Sequence, residues 1–152
     1  MNLEEILPFA HKLVEESGRI ILAHYLDPYL RVERKIDETP VTKADREAET
    51  CMRELIEKRF PEHGIVGEEH KSIREDAEYV WLLDPIDGTK SFISGVPLFG
   101  TLICLKHKGE PILGIIHQPV LGQLMIGNGS QTTLNGTPVK LRIPTGLAEA
   151  TI

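Results

Sequence analysis

Nine residues, Trp81-Leu82-Leu83-Asp84-Pro85-Ile86-Asp87-Gly88-Thr89, constrain this chain more than any other stretch. Trp81 to Leu83 is an apolar run bounded by turn residues, the pattern of a buried strand. Pro85 has no N–H to give a neighbouring strand, so the pattern predicts that the strand ends there and the chain turns. Asp84 and Asp87 then leave one tight loop toward the same small volume. Two carboxylates that close repel unless a cation lies between them, and hard oxygen donors suit Mg²⁺ or Mn²⁺. Gly88 and Thr89 precede Lys90–Ile93, a segment able to open a helix, and free N–H groups at a helix start face anions. A cation seat beside an anion seat is the layout that hydrolysis of a phosphate ester requires.

Taken alone, Asp-Pro and Asp-Gly are ordinary turn dipeptides. Two further acidic elements argue against that reading. Ile65-Val66 is a short apolar strand that ends in Gly67-Glu68-Glu69, and Pro40-Val41-Thr42-Lys43-Ala44-Asp45 leads into a helical pattern. Three acidic element ends in one small domain exceed what turns alone account for.

In this order and spacing, the three elements resemble the lithium-sensitive phosphatase superfamily typified by inositol monophosphatase. Its signatures are an acid ahead of a helix, a Glu-Glu pair, and Asp-Pro-Ile-Asp-Gly-Thr. The resemblance continues through Gly95-Val96-Pro97-Leu98-Phe99-Gly100-Thr101-Leu102 and Gly114-Ile115-Ile116-His117-Gln118-Pro119. These later stretches are most similar to the histidinol-phosphate phosphatase branch, although that branch has an acid where this chain has His117. Superfamily members continue beyond this point into a second sheet-containing region whose Trp-Asp motif completes a second metal site. The only Trp here is Trp81. Residues 1–144 are therefore expected to form an N-terminal metal-binding α+β domain, and residues 145–152 to begin a missing C-terminal region, as a fragment or as half of a split enzyme.

Site roles follow from the resemblance. Glu68 and Asp84, with the Ile86 carbonyl, would hold a first Mg²⁺. Asp84 would bridge to a second Mg²⁺, also bound by Asp87, and such pairs sit about 3.5–4 Å apart. A complete site would take two or three ions. Thr89, paired with Asp45, would orient and deprotonate the attacking water, and the N–H groups of Gly88 and Thr89 would hold phosphate oxygens. Glu69 would orient a water or a third ion. Lys35 resembles a family lysine near the phosphate. The expected activity is Mg²⁺-dependent phosphomonoester hydrolysis of histidinol phosphate in histidine biosynthesis, with inositol 1-phosphate or a 3′-phosphonucleotide as alternatives. A separate reading is a non-catalytic half that binds metal weakly without a partner. A Ca²⁺-binding structural module is disfavoured, since the acids do not follow EF-hand spacing.

The chain length, 152 residues, suits one domain with its own core. A net charge of −6 disfavours nucleic acid and anionic membranes as partners. No stretch approaches the roughly 18 apolar residues of a membrane span, and the acidic start Met1-Asn2-Leu3-Glu4-Glu5 is unlike a signal peptide. Cys51 and Cys104 lie in apolar periodic patterns without metal-ligand spacing, which predicts two buried free thiols and a cytoplasmic setting. The expected partners are a small phosphorylated metabolite and either a second copy or a complementing C-terminal half. None of the six histidines is assigned a role.

Apolar residues recur at helical spacing from Leu3 to Leu26, with Pro8 marking a shifted start or a kink. Leu30–Lys35 alternates as an exposed strand does. A second helix is predicted over Lys43–Phe60, capped by Thr42, with Ala44, Ala48, Cys51, Leu55 and Ile56 inside. Lys71–Glu78 reads as an exposed, mobile loop. Strands follow at Leu98–Lys106 and Ile112–Gln118, joined at Lys108-Gly109, then at Leu124–Ile126, and Asn135-Gly136 joins Thr132–Leu134 to Val139–Leu141. The predicted class is α+β: two N-terminal helices packed on a mainly antiparallel sheet, the N-terminal half of a layered αβαβα sandwich.

Overall fold

The computed structural model of the chain describes residues 3–34, 40–140 and 146. Lys35 and the expected boundary at 144/145 lie outside the described residues. Helix α1 spans Leu3–His24, and helix α2 spans Lys43–Arg59. A two-stranded ribbon, β1 (Val32–Arg34) against β2 (Pro40–Thr42), lies between them in sequence. The exposed strand predicted over Leu30–Lys35 begins at Val32.

The main sheet contains β3 (Gly64–Gly67), β4 (Tyr79–Asp87), β5 (Gly100–His107), β6 (Glu110–Gln118), β7 (Gln123–Gly127), β8 (Thr132–Leu134) and β9 (Thr137–Pro138), in that spatial order. Only β3 and β4 pair in parallel; every other neighbour is antiparallel. A short helix, α3 (Thr89–Ile93), separates β4 from β5. The class is α+β, with helices packed on a mainly antiparallel sheet. Lys108-Gly109 and Asn135-Gly136 both turn with two positive φ angles (52° and 88°, 48° and 78°). Positive φ at both central positions is the type I′ geometry that matches strand twist. The last strand lies earlier than the predicted Val139–Leu141, at Thr137–Pro138, although Val139 N–H still donates to Thr132 O at 2.9 Å; Leu141 lies outside the described residues.

Period two on the strands sorts the sheet into two faces. Trp81, Leu83, Ile103, Leu105, Leu113 and Ile115 are buried against Ile6, Leu13, Met52 and Ile56 of the helices. A second cluster, Ile21, Ala44, Ala48, Ile86, Phe92 and Phe99, lies where β4 meets α3. It ties the start of α2 to the turn at Asp87. The opposite face, with Leu82, Leu102, Cys104, Ile116 and Met125, borders a concavity of about 670 Å³ and stays partly or well exposed.

The inner face of α2 is rotated from its predicted position. Asp45, Glu49 and Met52 are buried beside Ala44, Ala48 and Ile56, while Cys51 and Leu55 are only half-buried. Both cysteines are free and half-buried rather than buried. The segment 71–78 is anchored: Ile73 exchanges two backbone hydrogen bonds with Ile65 at 2.9 Å, and Arg74 Nε donates to His63 O at 2.8 Å. His63 is a structural residue that the sequence did not reveal. It is buried, accepts the Trp81 indole N–H at 3.0 Å, and its burial lowers its proton affinity, which keeps the ring available as an acceptor.

Candidate functional site

Strands β3 and β4 run side by side with Gly67 opposite Leu83. The next residues, Glu68 and Asp84, therefore stand level at the edge of the parallel pair, and Glu68 N–H donates to Leu83 O at 3.2 Å. The predicted end of the strand at Pro85 is not observed. β4 continues to Asp87 through a break in register, in which Asp84 faces Leu102 and Asp87 faces Gly100. Pro85 and Ile86 thus oppose the single residue Thr101, which makes a β-bulge. A proline fits here because the bulge asks for one fewer ladder hydrogen bond.

The bulge explains the spacing of the two acids. In a regular strand, residues three apart point to opposite faces. One extra residue restores the phase, so Asp84 and Asp87 emerge on the same side while Pro85 and Ile86 are both buried. The buried Thr101 hydroxyl donates to Pro85 O at 2.9 Å and pins the bulge from β5. Thr101→Val keeps the shape but strands that buried carbonyl, so it is expected to cost about 1–2 kcal/mol, read as a lower urea midpoint. An unchanged midpoint would remove Thr101 from this account.

The electrostatics are those of crowded acids. Burial, the Glu68 charge, a hydrogen bond with Glu68 and the Asp87 charge together push the Asp84 carboxyl from 3.8 up to about 7. Among the described residues, its Oδ1 is buried without a hydrogen-bond partner. An orphaned carboxylate oxygen facing other acids is costly until a positive charge satisfies it. Oxygen-only donors of this kind fit a hard divalent cation. Among the described residues no three His, Cys, Asp or Glu side chains already surround one point. The acids instead come as a Glu68–Asp84 pair, with Asp87 acting on Asp84 through its charge.

Asp45 approaches from the first turn of α2. Its Oδ2 accepts both the Thr42 N–H at 2.8 Å and the Thr42 hydroxyl, so Thr42 and Asp45 cap the helix together. Burial raises the Asp45 carboxyl, the Thr42 hydrogen bonds pull it back, and the Glu68 charge adds to the rise. The expected pairing of Asp45 with Thr89 is not made. The Thr89 hydroxyl donates to Ile86 O at 3.1 Å, which leaves that carbonyl a second lone pair. Gly88 caps α3 with φ 92°, and a Cβ there would meet Leu98 O at 2.9 Å, so both conformation and space require glycine. The first N–H groups of α3 have no intrahelical acceptor.

Sequence reasoning missed Glu49, which is fully buried one helical turn beyond Asp45. Its carboxylate accepts the Glu69 N–H at 2.7 Å and the His70 N–H at 3.2 Å, which fastens the loop carrying Glu68 to α2. The signal was present as acids four apart, at 45 and 49, in a helix whose face was assigned from apolar residues alone. His70, which the sequence gives no role, is exposed but lies within hydrogen-bond reach of the Thr50 hydroxyl at 3.0 Å.

Comparison with known proteins decides the family. A model of the inositol monophosphatase family matches residues 2–151. The chain belongs to the inositol monophosphatase family. It is 45% identical over 98% of its length to a chloroplastic bifunctional phosphatase of Arabidopsis thaliana, covering 44% of that protein. It is 43% identical over 89% of its length to a histidinol-phosphatase of Chlorobaculum parvum, covering 52% of that protein. Among solved structures, an inositol monophosphatase from Zymomonas mobilis shares 43% identity with a TM-score of 0.79, over 93% of this chain and 55% of that one. This member of the inositol monophosphatase family thus spans about half the length of the relatives it matches. None of its described helices is long and apolar enough to cross a membrane.

Proposed function

We propose that this chain is the metal-binding half of a Mg²⁺-dependent phosphomonoesterase, with histidinol phosphate as the preferred substrate. The observation that carries the metal reading is the orphaned Asp84 Oδ1 beside Glu68. Glu68, Asp84 and the Ile86 carbonyl would hold one ion, and Asp84 with Asp87 a second. Bound there, Mg²⁺ would neutralise phosphate oxygens and acidify a water.

The chain's own residues supply the rest. The Gly88 and Thr89 N–H groups bind the phosphate oxygens in this reading, because their helical position leaves them free to donate. Asp45 receives the water proton through the Thr89 hydroxyl, which turns away from Ile86 O to do so. Burial raises the proton affinity of Asp45, the direction that favours taking up a proton. Glu69 and Lys35 are proposed to flank the site. The histidinol phosphate assignment draws on the 43% identity to a histidinol-phosphatase; inositol 1-phosphate and a 3′-phosphonucleotide are the competing substrates. Two free cysteines suit a reducing compartment, the cytoplasm.

A second reading concerns completeness and is favoured by the open sheet face. In it, the half that the relatives carry beyond the matched region covers Leu102, Ile116 and Met125, and the chain turns over substrate only when so covered. Phosphate release from the three esters, with and without that half supplied in trans, tests both readings. Equal rates on histidinol phosphate and inositol 1-phosphate would overturn the substrate assignment. Full activity of the chain alone would overturn the need for a partner.

A further inference from the structure

We propose that Glu49 is a positioning residue that fixes the 67–70 loop on α2 and thereby aims Glu68 at the cation seat. The inference rests on the metal-binding reading given above and adds to it a residue that touches neither cation nor substrate.

A fully buried carboxylate is unfavourable unless it is paired and hydrogen-bonded. Glu49 meets that condition with donors from two sources. Arg53, one turn further along α2, donates Nε–H to Oε1 at 2.7 Å. The loop donates two consecutive amides, Glu69 N–H to Oε2 at 2.7 Å and His70 N–H to Oε1 at 3.2 Å. Arg53 also donates from Nη2 to His70 O at 3.1 Å. Helix α2 therefore grips both polarities of the loop backbone immediately after Glu68.

The grip is close. A Cβ at Gly67 would lie 1.9 Å from Glu49 Oε1, so the backbone passes over the carboxylate at a distance only glycine permits. Gly67 precedes Glu68, and Glu69 and His70 follow it. The residue that presents its carboxylate to Asp84 is thus flanked by one side chain, packed close against Gly67 before it and hydrogen-bonded to the Glu69 and His70 amides after it. Asp45 lies one turn before Glu49 on the same helix and senses the Glu68 charge. One rigid helix thus sets both acids relative to each other, and supporting contacts of this kind govern how well metal ligands perform. Glutamine has nearly the same shape, but it offers a single acceptor oxygen and would turn an NH₂ group toward the loop amides or Arg53. Only a carboxylate accepts from all three donors.

The test compares the wild-type chain with Glu49→Gln, Gly67→Ala and Met52→Ala. The second disturbs the contact from the loop side while keeping both the Glu49 carboxylate and the Arg53 guanidinium in the chain. The third truncates a buried core residue of the same helix whose apolar side chain cannot hydrogen-bond the loop, and so controls for lost stability. Mn²⁺ affinity is measured by calorimetry well below each melting temperature, together with hydrogen exchange at the Glu69 and His70 amides. Glu49→Gln and Gly67→Ala are expected to weaken Mn²⁺ binding about 10–100-fold and to lose protection at both amides. Met52→Ala is expected to melt earlier with affinity unchanged. Wild-type affinity in Gly67→Ala, or an equal loss in Met52→Ala, would overturn the positioning role while leaving the metal site standing. No binding by the wild type would overturn the metal site and this role together.

Discussion

Asp84→Asn is expected to stabilise the protein in the absence of divalent cations and to abolish its response to them. The Asp84 carboxyl rises from 3.8 to about 7 because it is buried and faces Glu68 and Asp87. Between those values the folded chain holds a proton that the unfolded chain has released. The contribution of this group is therefore complete below about pH 4 and is lost as the pH rises through about 7. At pH 8 the folded state carries an uncompensated charge in a half-buried place. Solvent screening reduces the full value of such a shift, and about 2 kcal/mol is expected to remain. For a chain of this size that is about 5 °C in melting temperature. The neutral amide removes the repulsion, so the variant should melt higher than the wild type at pH 8 and by a smaller margin at pH 5. Mg²⁺ should raise the wild-type melting temperature more at pH 8 than at pH 6, where the cation competes with a proton, and should leave the variant unmoved. Thermal melts at the two pH values, with and without Mg²⁺, give the result. A variant that melts lower at pH 8, or that still responds to Mg²⁺, would show that Asp84 neither repels its neighbours nor holds the ion.

Much of this site is legible in the sequence because its signals are local. Helical periodicity gives α1 and α2, and Lys108-Gly109 and Asn135-Gly136 announce their turns. Glu68, Asp84 and Asp87 are visible as acids at strand ends. The bulge is not visible, because Pro85 reads as a terminator until β5 is present to continue the ladder and Thr101 to accept the extra residue. The face of α2 is misread for a similar reason. Apolar spacing selects Cys51 and Leu55, whereas the loop at 67–70 buries Glu49 by supplying two amides from a place distant in sequence. The buried His63 is likewise explained only by the Trp81 indole that it meets. What the sequence hides in each case is a polar group whose burial is licensed by a distant partner. The expected Thr89–Asp45 pair fails through the same blindness to competition, since Ile86 O and Thr42 each lie nearer in sequence and take the hydrogen bonds.

The 152-residue chain alone is expected to self-associate through the open face of its sheet, and Ile116→Lys to leave it monomeric. Ile116 is 47% exposed on β6, with Leu102 opposite it on β5 and Met125 opposite it on β7. Together with Leu82 and Cys104 they form a contiguous apolar surface around the concavity that also reaches Glu68 and Asp84. Contiguous apolar patches of this kind mark association surfaces, because covering them removes apolar area from water at about 25 cal/mol per Å². A lysine at this position costs the monomer little, since the site is already solvated, but it must be desolvated in any complex that covers the face. Sedimentation velocity over a range of concentrations distinguishes the two chains. The same variant separates the partners proposed for this surface. If the relatives' second half occupies it, that half should convert the self-associated wild type into a one-to-one complex with phosphatase activity, and Ile116→Lys should block both. If a second copy is the natural occupant, the added half should leave the assembly unchanged, and Ile116→Lys should dissolve it. A wild-type chain that stays monomeric and binds no second half would show that this face needs no cover, and would return its apolar character to sheet packing alone.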